Sequence, residues 1–119
     1  MVRVIHPDDA RDLKLPGRTS LEIVSAAAGS GSMTLRLVEI PVAKPGEPPR
    51  QMHRHGGFEE CMYVLGGAGA TETEQGLSPV KAGDTILVPP GELHVTHNTG
   101  DEPLRMLCFF PTANCSEQK

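Results

Sequence analysis

The chain has 119 residues and a formal net charge of −4, which allows one domain with its own core and leaves no room for two comfortable ones. Its aromatic residues are Phe58, Phe109, Phe110 and Tyr63, with no tryptophan. The stacking platforms and basic grooves of nucleic-acid binders are therefore missing, and any pocket is expected to be lined mainly by aliphatic and Met side chains.

Residues 1–16 read as a short extended piece at Val2–Ile5 and a polar turn at Pro7-Asp8-Asp9. They hold no apolar leader core, and no stretch of the chain approaches membrane-span length. His6 is a surface histidine on this reading, and the arm is suited to pairing with the sheet edge of a second subunit. Three cysteines (Cys61, Cys108 and Cys115) with no CxxC spacing argue against a disulfide framework or a zinc knuckle. A reducing, cytoplasmic setting is the default expectation.

Alternation predicts a strand over residues 19–26 and a clearer one over 33–40, with Met33, Leu35 and Leu37 on one face and Arg36 on the other. Residues 41–49 are Pro/Gly-rich and read as a structured loop. Further strands are predicted over 51–55, 60–65, 68–73, 77–81, 85–88, 94–98 and 104–110, each bounded by Gly, Pro, Asn or Asp. Many short strands with no helical period predict an all-β sandwich or barrel. The barrel is expected over about residues 19–111 of a single domain, with an N-terminal arm at 1–18 and a frayed tail at 112–119.

Chemistry concentrates in Gln51–Gly67. In a strand, residues i and i+2 share a face, so His53 and His55 point the same way, as two ligands of one metal must. Gly56-Gly57 lets the chain bend and return a carboxylate, Glu59 or Glu60, to the same point. His94 follows the rigid turn Pro89-Pro90-Gly91 and is the fourth candidate. Three imidazoles and one carboxylate suit Mn, Fe, Co, Ni, Zn or Cu. They do not suit Ca or Mg, which prefer oxygen shells.

These residues fall into two ordered motifs. Gly46, His53, His55, Glu60 and Gly67 follow G-(x)5-H-x-H-(x)3,4-E-(x)6-G, with one extra residue between Gly46 and His53. Gly83, Pro89, Gly91, His94 and Asn98 match G-(x)5-P-x-G-(x)2-H-(x)3-N at every fixed position. In this the chain resembles the small single-domain members of the cupin superfamily, over about residues 33–111. The resemblance implies a double-stranded β-helix, or jelly-roll barrel, with His53, His55, Glu60 and His94 as metal ligands. The glutamate spacing could also be met by Glu59 and Gly66. Glu60 is preferred because Val64-Leu65-Gly66-Gly67 matches the ending of the ligand strand in small cupins.

Parity extends the reading. Met62 and Val64 should face inward with Glu60, Gln51 with the histidines, and Ile86 and Val88 should line the barrel. The last strand resembles the closing strand of manganese-type cupins, which implies Met106, Cys108 and Phe110 inward. Cys108 reads as a small buried hydrophobe rather than a thiolate ligand. Asn98 reads as a turn-fixing residue, His97 as an outer-face histidine, Tyr63 as core, and Arg36 and Arg105 as solvated strand positions.

The resemblance leaves the reaction open. A metal-dependent oxygenase on a small organic metabolite is favoured, with Glu60 as ligand and catalytic proton acceptor. A non-redox lyase, isomerase or polyketide-type cyclase is the alternative, and a non-catalytic sensor is the third reading. A small-molecule substrate and a homodimer are expected, without nucleic acid or membrane.

Overall fold

Gly and Pro cut the chain into short strands, and the strands close into two facing antiparallel sheets, a jelly roll. The structure, a computed structural model, describes residues 1–115 and 117–118. In chain order the strands are β1 Arg11–Asp12, β2 Thr19–Val24, β3 Thr34–Ile40, β4 Arg54–His55, β5 Glu60–Gly66, β6 Ala68–Thr73, β7 Gly76–Lys81, β8 Thr85–Val88, β9 His94–Asn98, β10 Leu104–Phe110 and β11 Glu117–Gln118. The larger sheet runs β1-β2-β3-β10-β5-β8 and the smaller β7-β6-β9. β11 pairs with β4, and an antiparallel bridge between His53 and His94 joins that pair to β9.

The core lies on the inner face of the larger sheet. Val38, Ile40, Met62, Val64, Val88, Leu104, Met106, Cys108 and Phe110 form one buried cluster, and full burial of such side chains contributes about 1.5–3 kcal/mol each. β5 and β10 follow their expected parity: Met62 and Val64 are buried beneath exposed Tyr63 and Leu65, and Met106, Cys108 and Phe110 beneath exposed Arg105 and Phe109.

β3 reverses its expected parity. Thr34, Arg36, Val38 and Ile40 are the buried residues, while Leu35 and Leu37 sit on the outer face. Arg36 is not solvated; it is 7% exposed. Its burial is possible because β2 places Glu22 directly opposite across the ladder. Pairing continues across the sheet, so Glu22, Arg36, Cys108, Met62 and Ile86 form one inward row. Tyr63, expected in the core, is 46% exposed on the outer face.

Two further expectations change. Residues 51–53 carry no strand of their own, because only Arg54–His55 forms ladder pairs. Among the described residues the first strand pairing begins at Arg11, after the arm. The tail does not fray directly after Pro111: the Ala113 carbonyl accepts from the Ala26 amide, and Glu117–Gln118 pairs with Arg54–His55. Ser116 and Lys119 lie outside the described residues.

One turn needs its glycine. Gly67 has φ +87°, and a Cβ there would lie 2.7 Å from the Pro103 carbonyl oxygen, against backbone that cannot swing aside. It lets β5 turn into β6 beneath the start of β10.

Candidate metal centre

The bridge between the two sheet segments builds the site. His53 and His94 exchange both backbone hydrogen bonds, each N–H donating to the other's carbonyl at 2.9 Å. Directly opposed residues project to the same face. His55, two residues on from His53, joins them, and the three imidazole centroids lie 4.5–5.4 Å apart. Glu60, the first residue of β5, reaches in from the larger sheet. One ligand atom from each of His53, His55, Glu60 and His94 lies within 4.8 Å of the others. Glu59, just before β5, is exposed.

The hydrogen bonds fix the chemistry of the cluster. His94 Nδ1 lies 2.9 Å from the Glu92 carbonyl oxygen. A carbonyl only accepts, so Nδ1 carries the hydrogen and Nε2 is the inward atom. The Nε2 atoms of His55 and His94 lie 3.1 and 3.0 Å from one oxygen of Glu60, Oε1. With Nδ1 protonated, His94 Nε2 can face that carboxylate favourably only as an imidazolium or across a shared cation. Burial pushes the Glu60 carboxyl up, but hydrogen bonds from His55 and His94 and their charges outweigh it and hold the pKa at about 2. The group stays ionised at neutral pH. Three converging imidazoles and one ionised carboxylate, all on the barrel interior, fit a divalent transition metal.

The surroundings are apolar on one side and cationic on the other. Phe110 packs edge-on to His55 at 4.8 Å, and Phe58 stacks on the same imidazole at 5.9 Å. The Cys115 sulfur lies 3.9 Å from His55 Nδ1. An inner cavity of about 50 Å³ touches His53, Glu60 and His94, and Met62, Met106, Cys108 and Phe110 line it. Burial, then the neighbouring Glu60 carboxylate, pushes the Cys108 thiol well above its usual range. It therefore stays a thiol, as the buried-hydrophobe reading requires.

Four expected lining residues lie elsewhere. Gln51 is exposed and faces an outer groove, because the unpaired run before Arg54 does not keep strand parity. Val64 is inward but sealed in the core, one pair of strand positions beyond Met62. Ile86 and Val88 also face inward but flank a separate depression behind His94. Asn98 fixes a turn, although it is the Thr99–Glu102 turn: its amide nitrogen donates to the Ile40 and Glu102 carbonyls, and its oxygen accepts from the Gly100 amide. His97 pairs with Glu72 at 3.0 Å, away from the cluster.

The sequence reading missed the polar wall of the cavity. Arg18, Ser20, Arg36, Arg50 and Thr96 all line it. Arg50 donates from Nη2 to the Thr96 carbonyl. Leu15, Arg18, Ile40, Arg50 and His53 also border the outer groove, of about 720 Å³, so these five separate the small interior from a larger open space. Spacing alone does not reveal the Glu22–Arg36 pair, because the β2–β3 register shifts between Glu22 and Val24 and the two residues are not symmetric about the Gly29–Ser32 turn.

Comparison with known proteins agrees with this architecture. The cupin domain profile matches residues 39–110. SchB of Streptomyces halstedii is 31% identical over 108 residues, covering 88% of this chain and 74% of that protein. The polyketide synthase CurC of Streptomyces cyaneus is 32% identical over 106 residues, covering 89% and 64%. MJ1618 of Methanocaldococcus jannaschii is 40% identical over 57 residues, which is 48% of this chain and 46% of that protein; against this relative and CurC, the match spans less than two thirds of the partner's length. Among solved structures, the polyketide cyclase RemF from Streptomyces resistomycificus superposes with a TM-score of 0.77 at 22% identity, covering 100% and 85% of the two chains. Oxalate decarboxylase from Lactobacillus farciminis superposes with a TM-score of 0.78 at 23% identity, covering 94% and 34%. Profile, sequence relatives and barrel topology agree, and the chain belongs to the cupin family.

Proposed function

We propose that this cupin is a metal-dependent enzyme that acts without redox change on an enolisable polyketone, promoting its cyclisation. The observation that carries the reading is the pairing of a cramped interior with a wide forecourt. The cavity at the four ligands, about 50 Å³, holds a group of a few atoms, whereas the groove outside it, about 720 Å³, has the size of a ligand pocket. A long chain can lie in the groove and present one carbonyl to the cluster. The likeness to CurC, named a polyketide synthase, over nearly nine-tenths of the chain supports the substrate class.

His53, His55, Glu60 and His94 would hold the ion; once bound, it supplies Lewis acidity that polarises a carbonyl and makes the neighbouring C–H more acidic. The remaining work falls to the protein. Met62, Met106 and Phe110 keep water from the cavity, which strengthens every polar interaction inside it. Arg18, Arg36 and Arg50 offer donors to carbonyl or enolate oxygens. Glu60 is the one carboxylate lining the cavity among the described residues, so it is the group placed to accept a proton from substrate. Its carboxylate is held ionised by the imidazoles around it, and it accepts that proton once the substrate C–H has been acidified.

The oxygenase reading shares the same ligand set, and one experiment separates the two. Protein reconstituted with Zn²⁺ is mixed anaerobically with a linear poly-β-ketone. Ring formation supports the cyclase; turnover only with a redox metal and matching O₂ uptake refutes it in favour of an oxygenase. Tight binding without turnover under both conditions would assign a sensor.

A homodimer in a reducing compartment completes the proposal. The outer face of the larger sheet carries Leu35, Leu37, Leu107, Phe109, Tyr63 and Leu87 in adjoining register. Four strands spaced by ~4.8 Å and two outward rows spaced by ~7 Å give about 270 Å² of flat apolar face, roughly a third of what each partner of a stable complex buries. The exposed Val2 and Val4 of the arm can contribute more. Light scattering should give a dimer at micromolar concentration, with Leu107→Glu shifting it to monomer; a monomeric wild type would contradict the assembly.

A further inference from the structure

Arg36 occupies an unusual position. It is nine-tenths buried, sits on the inward row with Glu22, Cys108 and Met62, and lines the same cavity as Glu60, His53 and His94. Its donors are unevenly used. Nε and Nη2 donate to Glu22 Oε2 at 3.3 and 3.2 Å, and Nη2 also donates to the Cys115 carbonyl at 3.4 Å. Nη1, with two N–H groups, has no hydrogen-bond partner among the described residues. The guanidinium plane is steadied by the Phe110 ring, with Cζ 5.2 Å from its centroid. Glu22 is itself held from the far side by Arg11, whose Nη2 donates to Oε1 at 2.6 Å. The acid thus orients the guanidinium from behind and leaves one nitrogen for the interior.

We propose that Arg36 is the anchor for an anionic head group, and that the substrate class is a carboxylate, a β-keto acid in particular. A buried guanidinium recognises a carboxylate through charge-assisted hydrogen bonds. The cavity of about 50 Å³ admits such a head group and little else, and the remainder of a longer molecule extends past His53 and Arg50 into the groove. Glu22 is a positioning residue: it touches Arg36 and not the ligand. The proposal deepens the reading of the four-residue cluster as the reaction centre, but it does not depend on the type of reaction.

The test compares acetoacetate with its neutral counterpart acetoacetamide by calorimetric titration into Zn²⁺-loaded protein. Wild type should bind acetoacetate more tightly than acetoacetamide. Arg36→Met should weaken acetoacetate roughly tenfold to a hundredfold and leave acetoacetamide unmoved, with Arg36→Lys in between and metal content unchanged throughout. If Arg36→Met fails to fold, the Glu22→Gln/Arg36→Met pair removes both buried charges and serves in its place. No acetoacetate binding in wild type, equal binding in wild type and Arg36→Met, or a parallel loss for acetoacetamide would each overturn the proposal. The readout is binding without turnover, so Zn²⁺-supported ring formation together with unaltered acetoacetate binding in Arg36→Met would sink the anchor and spare the cyclase.

Discussion

Replacing Glu22 by Gln tests whether the buried ion pair on β2 and β3 is as deeply coupled as its geometry implies. The side chains of Glu22 and Arg36 are 5% and 8% exposed, with Nη2 and Oε2 3.2 Å apart. Two charges at that distance attract by about 5 kcal/mol at an effective dielectric near 20. Removing one partner of such a pair costs about 3–5 kcal/mol, because the other charge is left buried. Glu22→Gln should sit at the low end, about 3 kcal/mol, since the amide still accepts a hydrogen bond. Arg36→Met should cost less, about 2 kcal/mol, because Arg11 still pairs with Glu22 from the solvent side. The double variant should also lie near 3 kcal/mol rather than 5, a coupling of about 2 kcal/mol. Urea unfolding of the four proteins at fixed metal occupancy reads these values. Strict additivity, or single losses below about 0.5 kcal/mol, would refute the buried-pair account.

The same glutamate sets a pH response. Burial raises the Glu22 carboxyl pKa, but hydrogen bonds from Ser25 and Arg11 and the charges of Arg36 and Arg11 bring the net value below the ordinary one. A lowered pKa gives stability that is present above the unfolded value of ~4.3 and lost as pH falls through the folded value. The stability gap between wild type and Glu22→Gln should therefore narrow below about pH 4; a constant gap would show that the charge is not involved. Gly67→Ala should destabilise by about 2–4 kcal/mol, from left-handed strain together with the clash at the Pro103 carbonyl, and thermal unfolding measures it. A thiol reagent at neutral pH should label the half-buried Cys61 and Cys115 before Cys108, whose thiol is buried and held protonated. Early labelling of Cys108, read by mass spectrometry, would contradict its placement.

How much of this was legible in the sequence depended on whether a feature is local. Strand boundaries carried Gly or Pro punctuation, so β6, β8, β9 and β10 fall at their expected residues. The four-residue cluster was also legible, because two of its histidines stand two residues apart in extended chain, His53 held by its bridge to His94, and the other two ligands follow glycine-bearing turns. The inner wall was not. β3 carries apolar residues on both faces, so its alternation does not tell inside from outside, and Arg36 reads as solvated although it is the buried face that carries it. What decides the parity is the partner: Glu22 across the ladder makes Arg36 tolerable inside, and the apolar outer face continues through Leu107 and Phe109. Gln51 failed for the opposite reason, since parity was extended into a run with no ladder to enforce it.

The central claim is that Glu60, and not Glu59, completes a metal centre with His53, His55 and His94. It is tested most directly by elemental analysis of Glu60→Gln, Glu59→Gln and wild type, purified alike and dialysed against a common metal buffer. Lost orienting contacts alone cost metal sites roughly 10–100-fold in affinity, and a lost ligand should cost at least as much. Wild type and Glu59→Gln should keep equal metal, and Glu60→Gln should lose most of it while remaining folded. Equal metal in all three proteins, or loss in Glu59→Gln alone, would contradict the account.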